Sequence, residues 1–286
     1  MTSLDAAGFS ITLLKATPDM VAALDKPTTA VGWPQAAGNY QKYHGAQVIE
    51  TSHEPTSEAP PKATGPKSLF PSLPYRLGRD SNSVLVDVAQ FTKAVTAACQ
   101  SVIAAEPQIT HNDRIVGDGD CGTTLSRGAN AALKAISDLN SSATAGSAIL
   151  RIAHAVESSM DGTSGAIYEL FFTALASAVQ GQPGESATLA TWAQAASEAL
   201  ERLQAMTPAR VGDRTVMDAL TPYIQTLSSS GDVTKAVEEA RKGRDSTKGM
   251  QASLGRAVYV AGENWDKVPD PGAEGVVAIV EGLAKP

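Results

Sequence analysis

The chain is poor in the features that mark membrane, secreted or nucleic-acid-binding proteins. Its 286 residues include only two cysteines, Cys99 and Cys121, and no CxxC pair. No disulfide framework can be built from them, and a reducing, cytosolic location is the default expectation. There is no run of about 18 apolar residues, so no membrane-spanning helix is expected. The first stretch, MTSLDAAGFSITLLK, lacks a basic region followed by an apolar block, which argues against a secretory signal. A basic surplus is also missing. The net charge of −7 speaks against nonspecific nucleic-acid binding. Aromatic residues are scarce, with five Phe, six Tyr and three Trp, whereas Ala is frequent. Such a composition suits closely packed helices. With 43% hydrophobic residues, the chain is long enough for one large domain or two smaller ones.

Hydrophobic patterning divides the chain. In GFSITLL, Phe9, Ile11 and Leu13 alternate with Ser10 and Thr12, the pattern of a strand. Thr17 and Pro18 then read as the cap and first turn of a short helix. One strand and one helix cannot bury a core, so residues 1–48 read as the end of something larger. Residues 49–83 are rich in Pro, Ser and Thr, the composition of a flexible linker; residues 1–83 are expected to be poorly ordered. From Val84 to the end, apolar residues recur every three to four positions, as in Val88, Phe91, Val95, Cys99 and Val102. Eight or nine amphipathic helices with short Gly/Pro loops and no convincing strand are expected over 84–286, an all-α bundle or helical barrel.

Four Gly-Asp turns interrupt this pattern, each just before a helix: DRIVGDGDCGTT, DGTSGA (161–166), TPARVGDRT (207–215) and DPGAEG (270–275). A helix N-terminus offers unpaired N–H groups and the positive end of a dipole, which together can hold phosphate. Taken singly, DGTSGA and DPGAEG read as ordinary capping turns. The first turn is different. Asp113, Asp118 and Asp120 fall within eight residues, and three carboxylates so close repel unless a cation neutralises them. A carboxylate-only set favours Mg²⁺, Mn²⁺ or Ca²⁺ over zinc.

Standard motifs do not account for the turn. Counted as an EF-hand from Asp118, the sixth and twelfth positions are Thr123 and Ala129, where Gly and Glu are required. There is no GxxxxGK[ST] and no kinase-type glycine loop before a VAIK-like strand. Oxygen ligands beside a phosphate-cradling helix end suggest a Mg–nucleotide site of another kind.

The stretches NDRIVGDGDCGTTLSRGA, MDGTSGAIYELFFTALA, TPARVGDRTVMDAL and AVYVAGENWDKVPDPGAEG, in this order, resemble the ATP-binding L domain of dihydroxyacetone kinases. Residues 84–286 correspond to that domain, and Cys121 points to the single-chain ATP-dependent form. Residues 7–35 look like the last segment of the family's K domain. The resemblance implies an eight-helix antiparallel barrel and ATP with two Mg²⁺ ions on Asp113, Asp118 and Asp120. It implies nucleotide contacts at Cys121, Gly122, Thr123, Thr124, Thr163, Ser164, Thr207, Arg214, Thr215, Asp270, Pro271 and Gly272. Read from the residues alone, Arg214 is equally a surface or capping group, and Cys121 would contribute backbone rather than thiol chemistry.

In the family, dihydroxyacetone is held on a histidine of the K domain. Of His44, His53, His111 and His154, none has a K-domain setting. His111 reads as a loop residue and His154 as a helix-face residue, and no side chain of this chain is assigned as catalytic. The resemblance thus implies a phosphotransferase half that donates the γ-phosphoryl of ATP to dihydroxyacetone or glyceraldehyde bound elsewhere, with a homodimer as the family's common state. Two alternatives remain: splitting of FAD to cyclic FMN at the same site, and a non-catalytic, partner-binding role.

Overall fold

The computed structural model describes residues 84–182, 185–254, 258 and 265–285. The strand and helix expected within residues 1–48 and the linker over 49–83 lie outside the described residues. Within them are eight α-helices: α1 Val88–Val116, α2 Cys121–Ile136, α3 Ala145–Ser159, α4 Gly162–Gln180, α5 Leu189–Met206, α6 Met217–Ser230, α7 Val233–Ser246 and α8 Pro271–Leu283. A single 3₁₀ turn, Trp265–Lys267, precedes α8. No strand occurs among the described residues, only isolated bridges from Leu85 to Thr144 and Ser186.

Each helix packs on the next in sequence, and α8 packs back on α1. Short connections make successive helices antiparallel, so the ring is closed: an eight-helix barrel, as expected. Small residues let the seams close. At Gly282 of α8, an added Cβ would lie about 2.4 Å from the Ala98 Cα of α1. Larger residues from all eight helices turn inward, among them Val102, Leu125, Ile152, Phe171, Trp192, Ile224, Val233 and Ile279. They do not fill the interior. A cavity of about 480 Å³ remains, so the barrel is not solid.

Two elements differ from the sequence pattern. The helical period begins at Val88 rather than Val84. Residues 84–87 instead form an extended strap across one end of the barrel. Leu85 N–H donates to the Glu185 carbonyl and Ala187 N–H to the Leu85 carbonyl, both at 2.8 Å. Asp87 then caps α1 by accepting from Gln90 N–H. At the other end, α1 continues through Pro107 to Val116, taking in His111 and Asp113. A proline costs one rung of the helix ladder. Burial of Ile109, Asn112 and Val116 against the rest of the barrel overrides that local cost. The connection from α7 to α8, residues 247–270, is long rather than a short turn.

In an antiparallel ring, alternate helices begin at the same end. The four Gly-Asp turns precede α2, α4, α6 and α8, so all four line one rim, while the strap crosses the opposite one.

Candidate metal and nucleotide site

The two rims finish their helices differently. At the strap end, α1, α3, α5 and α7 are all capped by side chains, from Asp87, Thr144, Thr188 and Asp232. At the Gly-Asp end, the N-cap residues of α2, α4 and α6, namely Asp120, Asp161 and Val216, make no side-chain capping bond. Only α8 is capped, by Asp270, which accepts from Ala273 N–H at 2.8 Å. Three helix ends on one rim thus keep N–H groups unspent by capping.

Asp113, Asp118 and Asp120 converge on this rim, each offering an oxygen within 4.8 Å of the others. Asp113 is buried at the end of α1. Its Oδ2 accepts the N–H groups of Gly119 and Cys121, both at 2.9 Å. The turn depends on glycine for this. A Cβ at Gly117 would fall about 2.1 Å from Asp113 Oδ1, and Gly119 has a φ of 83°. Asp118 and Asp120 are exposed. The three carboxylates therefore come from a helix end, a turn and a helix start. They form one oxygen-only cluster, a donor set suited to a hard divalent cation.

The other motifs meet beside it. Burial, with Asp113, Asp270 and Asp120 nearby, pushes the Cys121 thiol far above its ordinary range, and only a hydrogen bond with Ser164 opposes this. Cys121 is therefore a neutral thiol, neither a nucleophile nor a thiolate ligand. Its neighbours bring the α4 and α8 motifs to the α2 motif. Gly272 lies against Val216, which brings in the α6 motif. Asp270 is itself buried, and its carboxyl is pushed up to about 7, chiefly by desolvation. Tyr168, beneath Cys121 and Asp270, has a buried hydroxyl without a partner.

The structure places the remaining expected residues as follows. Gly122 and Thr124 are buried in the first turn of α2, and Thr123 is exposed, its hydroxyl donating to the Asp120 carbonyl. Thr163 is exposed at the start of α4. Thr207 caps the end of α5, and its hydroxyl accepts from Ala209 N–H. Thr215 accepts from Met217 N–H. Pro271 is the first residue of α8. Arg214 is buried, and its two terminal nitrogens donate to the carbonyls of Met250, Trp265 and Val268. His111 stands on α1 rather than in a loop, and His154 is exposed on α3, as expected for a helix face.

Two rim residues escaped the sequence reading. Arg127 on α2 pairs with Asp161 at 2.6 Å, bridging the starts of α2 and α4. Asp218 is fully buried and accepts from the N–H groups of Gly212 and Thr215, both at 2.7 Å. The Thr215-x-x-Asp218 spacing is a capping-box signal that could have revealed the second; nothing in the sequence distinguishes Arg127 from a surface arginine.

Comparison with known proteins decides the family. Residues 115–285 match the family described as the DAK2 domain. The chain belongs to the DAK2-domain family. Relatives of this DAK2 chain include dihydroxyacetone kinase 2 of Saccharomyces cerevisiae, 36% identical over 296 residues. That match covers 99% of this chain and 47% of the yeast protein. Triokinase/FMN cyclase of Mus musculus is 32% identical over 292 residues, covering 99% of this chain and 46% of that protein. The DAK2 chain thus spans about half the length of these relatives, whose names are those of kinases. Among solved structures, the dihydroxyacetone kinase from C. freundii in complex with AMP-PNP and Mg²⁺ superposes with a TM-score of 0.56. It is 23% identical, over 68% of this chain and 33% of that one, a likeness that concerns the fold. The motif resemblance to dihydroxyacetone kinases is thereby borne out.

Proposed function

We propose that the Gly-Asp rim binds Mg–ATP and that the chain is the phosphoryl-donating half of a dihydroxyacetone or triose kinase. The observation that carries this reading is the oxygen cluster of Asp113, Asp118 and Asp120 on the rim where three of four helix starts lack a side-chain cap. Carboxylates fit the cation, and uncapped N–H groups with aligned dipoles fit the phosphates. The residues suit magnesium, since the cluster is all oxygen and the adjacent Cys121 thiol stays protonated. Two ions, as the motif resemblance implies, would be held by these three aspartates. Such ions neutralise charge spread over the transferring phosphoryl group.

This chain's residues bind and orient the donor. The start of α2, from Cys121 to Thr124, offers backbone N–H groups and hydroxyls to the phosphates. Thr163 and Ser164 at α4 and the Asp270–Gly272 turn at α8 frame the remainder. The acceptor hydroxyl bonds to the γ-phosphorus as the bond to the β,γ-bridging oxygen breaks, and the hydroxyl proton leaves to a base outside this chain. Positioning and electrostatics, not covalent chemistry, are what the rim supplies. The acceptor would be held by the K domain, which accounts for the relatives' additional length. No helix among the described residues is long and apolar enough to cross a membrane; we place the reaction in the cytosol.

The test is a coupled assay with Mg–ATP, dihydroxyacetone and a separately supplied K domain. The reading expects triose phosphate only when both proteins are present. No product from the pair, with a K domain shown to bind dihydroxyacetone, argues against it. The relatives named triokinase/FMN cyclase support a second reading, cleavage of FAD to cyclic FMN at the same rim. Incubation with FAD and Mn²⁺ that leaves FAD intact removes it.

A further inference from the structure

We propose that Arg214 is a positioning residue: it clamps the long α7–α8 connection onto the α5–α6 turn and promotes nucleotide binding without touching the phosphates. The inference rests on the nucleotide reading above but assigns Arg214 a different role from a phosphate ligand.

Arg214 is unusual in backbone and side chain alike. Its φ of 58° is in the left-handed region, and it is the one non-glycine residue there among those described. A side chain with a Cβ adopts that region rarely, and such outliers persist where surrounding structure dictates them. The residue is only 3% exposed. A buried guanidinium usually pairs with a carboxylate. Among the described residues no carboxylate lies within ion-pairing distance of this one.

Its charge is instead spent on backbone. Nη1 donates to the Met250 carbonyl at 3.0 Å. Nη2 donates to the Trp265 and Val268 carbonyls at 2.9 and 3.1 Å. The guanidinium also lies 5.3 Å above the centre of the Trp265 ring. These three carbonyls come from both ends of the connection that carries Asp270 to the rim. A second tie lies nearby, where the Ser253 hydroxyl donates to Asp213 Oδ1 at 2.7 Å. Asp270 is fixed from behind as well, its N–H donating to the Thr247 hydroxyl at 2.7 Å. The two connections therefore form one unit.

The same geometry leaves little for a phosphate. Recognition of phosphate by arginine uses a fork of two N–H groups. Both terminal nitrogens of Arg214 already donate to carbonyls, and the Nε–H is buried without an acceptor. One N–H beneath the connection cannot present that fork. Lysine would keep the charge, yet a single ammonium does not reproduce a planar fork gripping three carbonyls.

The experiment compares wild type, Arg214→Lys, Arg214→Ala and Trp265→Ala. Hydrogen exchange of the metal-free protein is followed in segments 247–254 and 265–270, with α2 as the internal reference. Calorimetric affinities for Mg–ATP and Mg–ADP are measured in parallel. All three variants should raise exchange in both segments by about tenfold or more while α2 stays protected. Affinity for both nucleotides should fall together by about tenfold. Trp265→Ala, which leaves the arginine in place, serves where an Arg214 variant fails to fold. The proposal is overturned by unchanged exchange in these segments, by rescue with lysine, by loss of ATP but not ADP binding, or by normal affinity in Trp265→Ala. If wild type binds neither nucleotide, the nucleotide reading fails, and the exchange measurement still decides whether Arg214 clamps the connection.

Discussion

The Cys121 N–H donates to Asp113 Oδ2 at 2.9 Å, so the start of α2 hangs from the end of α1 by the most buried of the three clustered carboxylates. Asp113 is therefore structural as well as a candidate ligand, whereas exposed Asp118 and Asp120 add mainly repulsion in the absence of a cation. Asp113→Ala should destabilise the metal-free protein by about 2 kcal/mol or more, since hydrogen bonds to a charged group are worth about 1.5–3 kcal/mol each. Asp118→Ala should stay within about 0.5 kcal/mol of wild type or be slightly stabilising. Urea unfolding in chelator checks both. Equal losses for the two variants contradict this division of roles.

Asp270 gives stability a pH dependence of unusual sign. Burial raises its carboxyl from 3.8 to about 7 in the folded protein. Between about pH 4 and 7 the folded state then binds more protons than the unfolded chain. Its contribution is complete below about 4 and is lost as pH rises through 7, with a slope of up to about 1.4 kcal/mol per unit. Asp270→Asn keeps a capping oxygen for Ala273 and should flatten that slope in metal-free protein. Thermal unfolding across this range reads the difference; an unaltered slope in the variant places the proton elsewhere.

The Arg127–Asp161 pair is short, at 2.6 Å, but both side chains are more than half exposed. Solvent screening should limit its coupling to below about 1 kcal/mol. A double-mutant cycle with Arg127→Ala and Asp161→Ala measures it, and coupling above about 2 kcal/mol contradicts the screened picture.

The hollow barrel predicts that the cost of a truncation depends on which side it faces. Ile109 is fully buried away from the cavity, and Ile152 lines it. Ile109→Ala should cost toward the upper end of the usual range of about 2–5 kcal/mol. Ile152→Ala should cost about 2 kcal/mol or less, because one side already lacks packing partners. Equal losses in chemical denaturation contradict a persistent void.

Helix order, barrel closure and the aspartate cluster were legible because they are local. Periodicity marks the helices, and three carboxylates in eight residues demand a shared cation. Other features were hidden because they arise only on packing. Val84 fits the helical period, yet it is drawn into the strap by loops more than 50 residues away. Asp113 looks like part of a turn but is held in α1 by burial beyond Pro107. Arg214 has the sequence setting of a phosphate ligand, and only the distant carbonyls of residues 250–268 reveal its commitment. The cavity is invisible in the sequence, since lumen and seam residues share one apolar alphabet.

The central claim is that the aspartate rim binds Mg–ATP. Calorimetric titration of Mg–ATP into the wild type and an Asp118→Ala, Asp120→Ala double variant tests it most directly. The account predicts a single binding event in the wild type that disappears on chelation, and affinity reduced at least about a hundredfold in the folded double variant, as loss of the ligands from a metal-dependent site requires. Equal affinity in the two proteins, or wild-type binding that persists without a divalent cation, contradicts it.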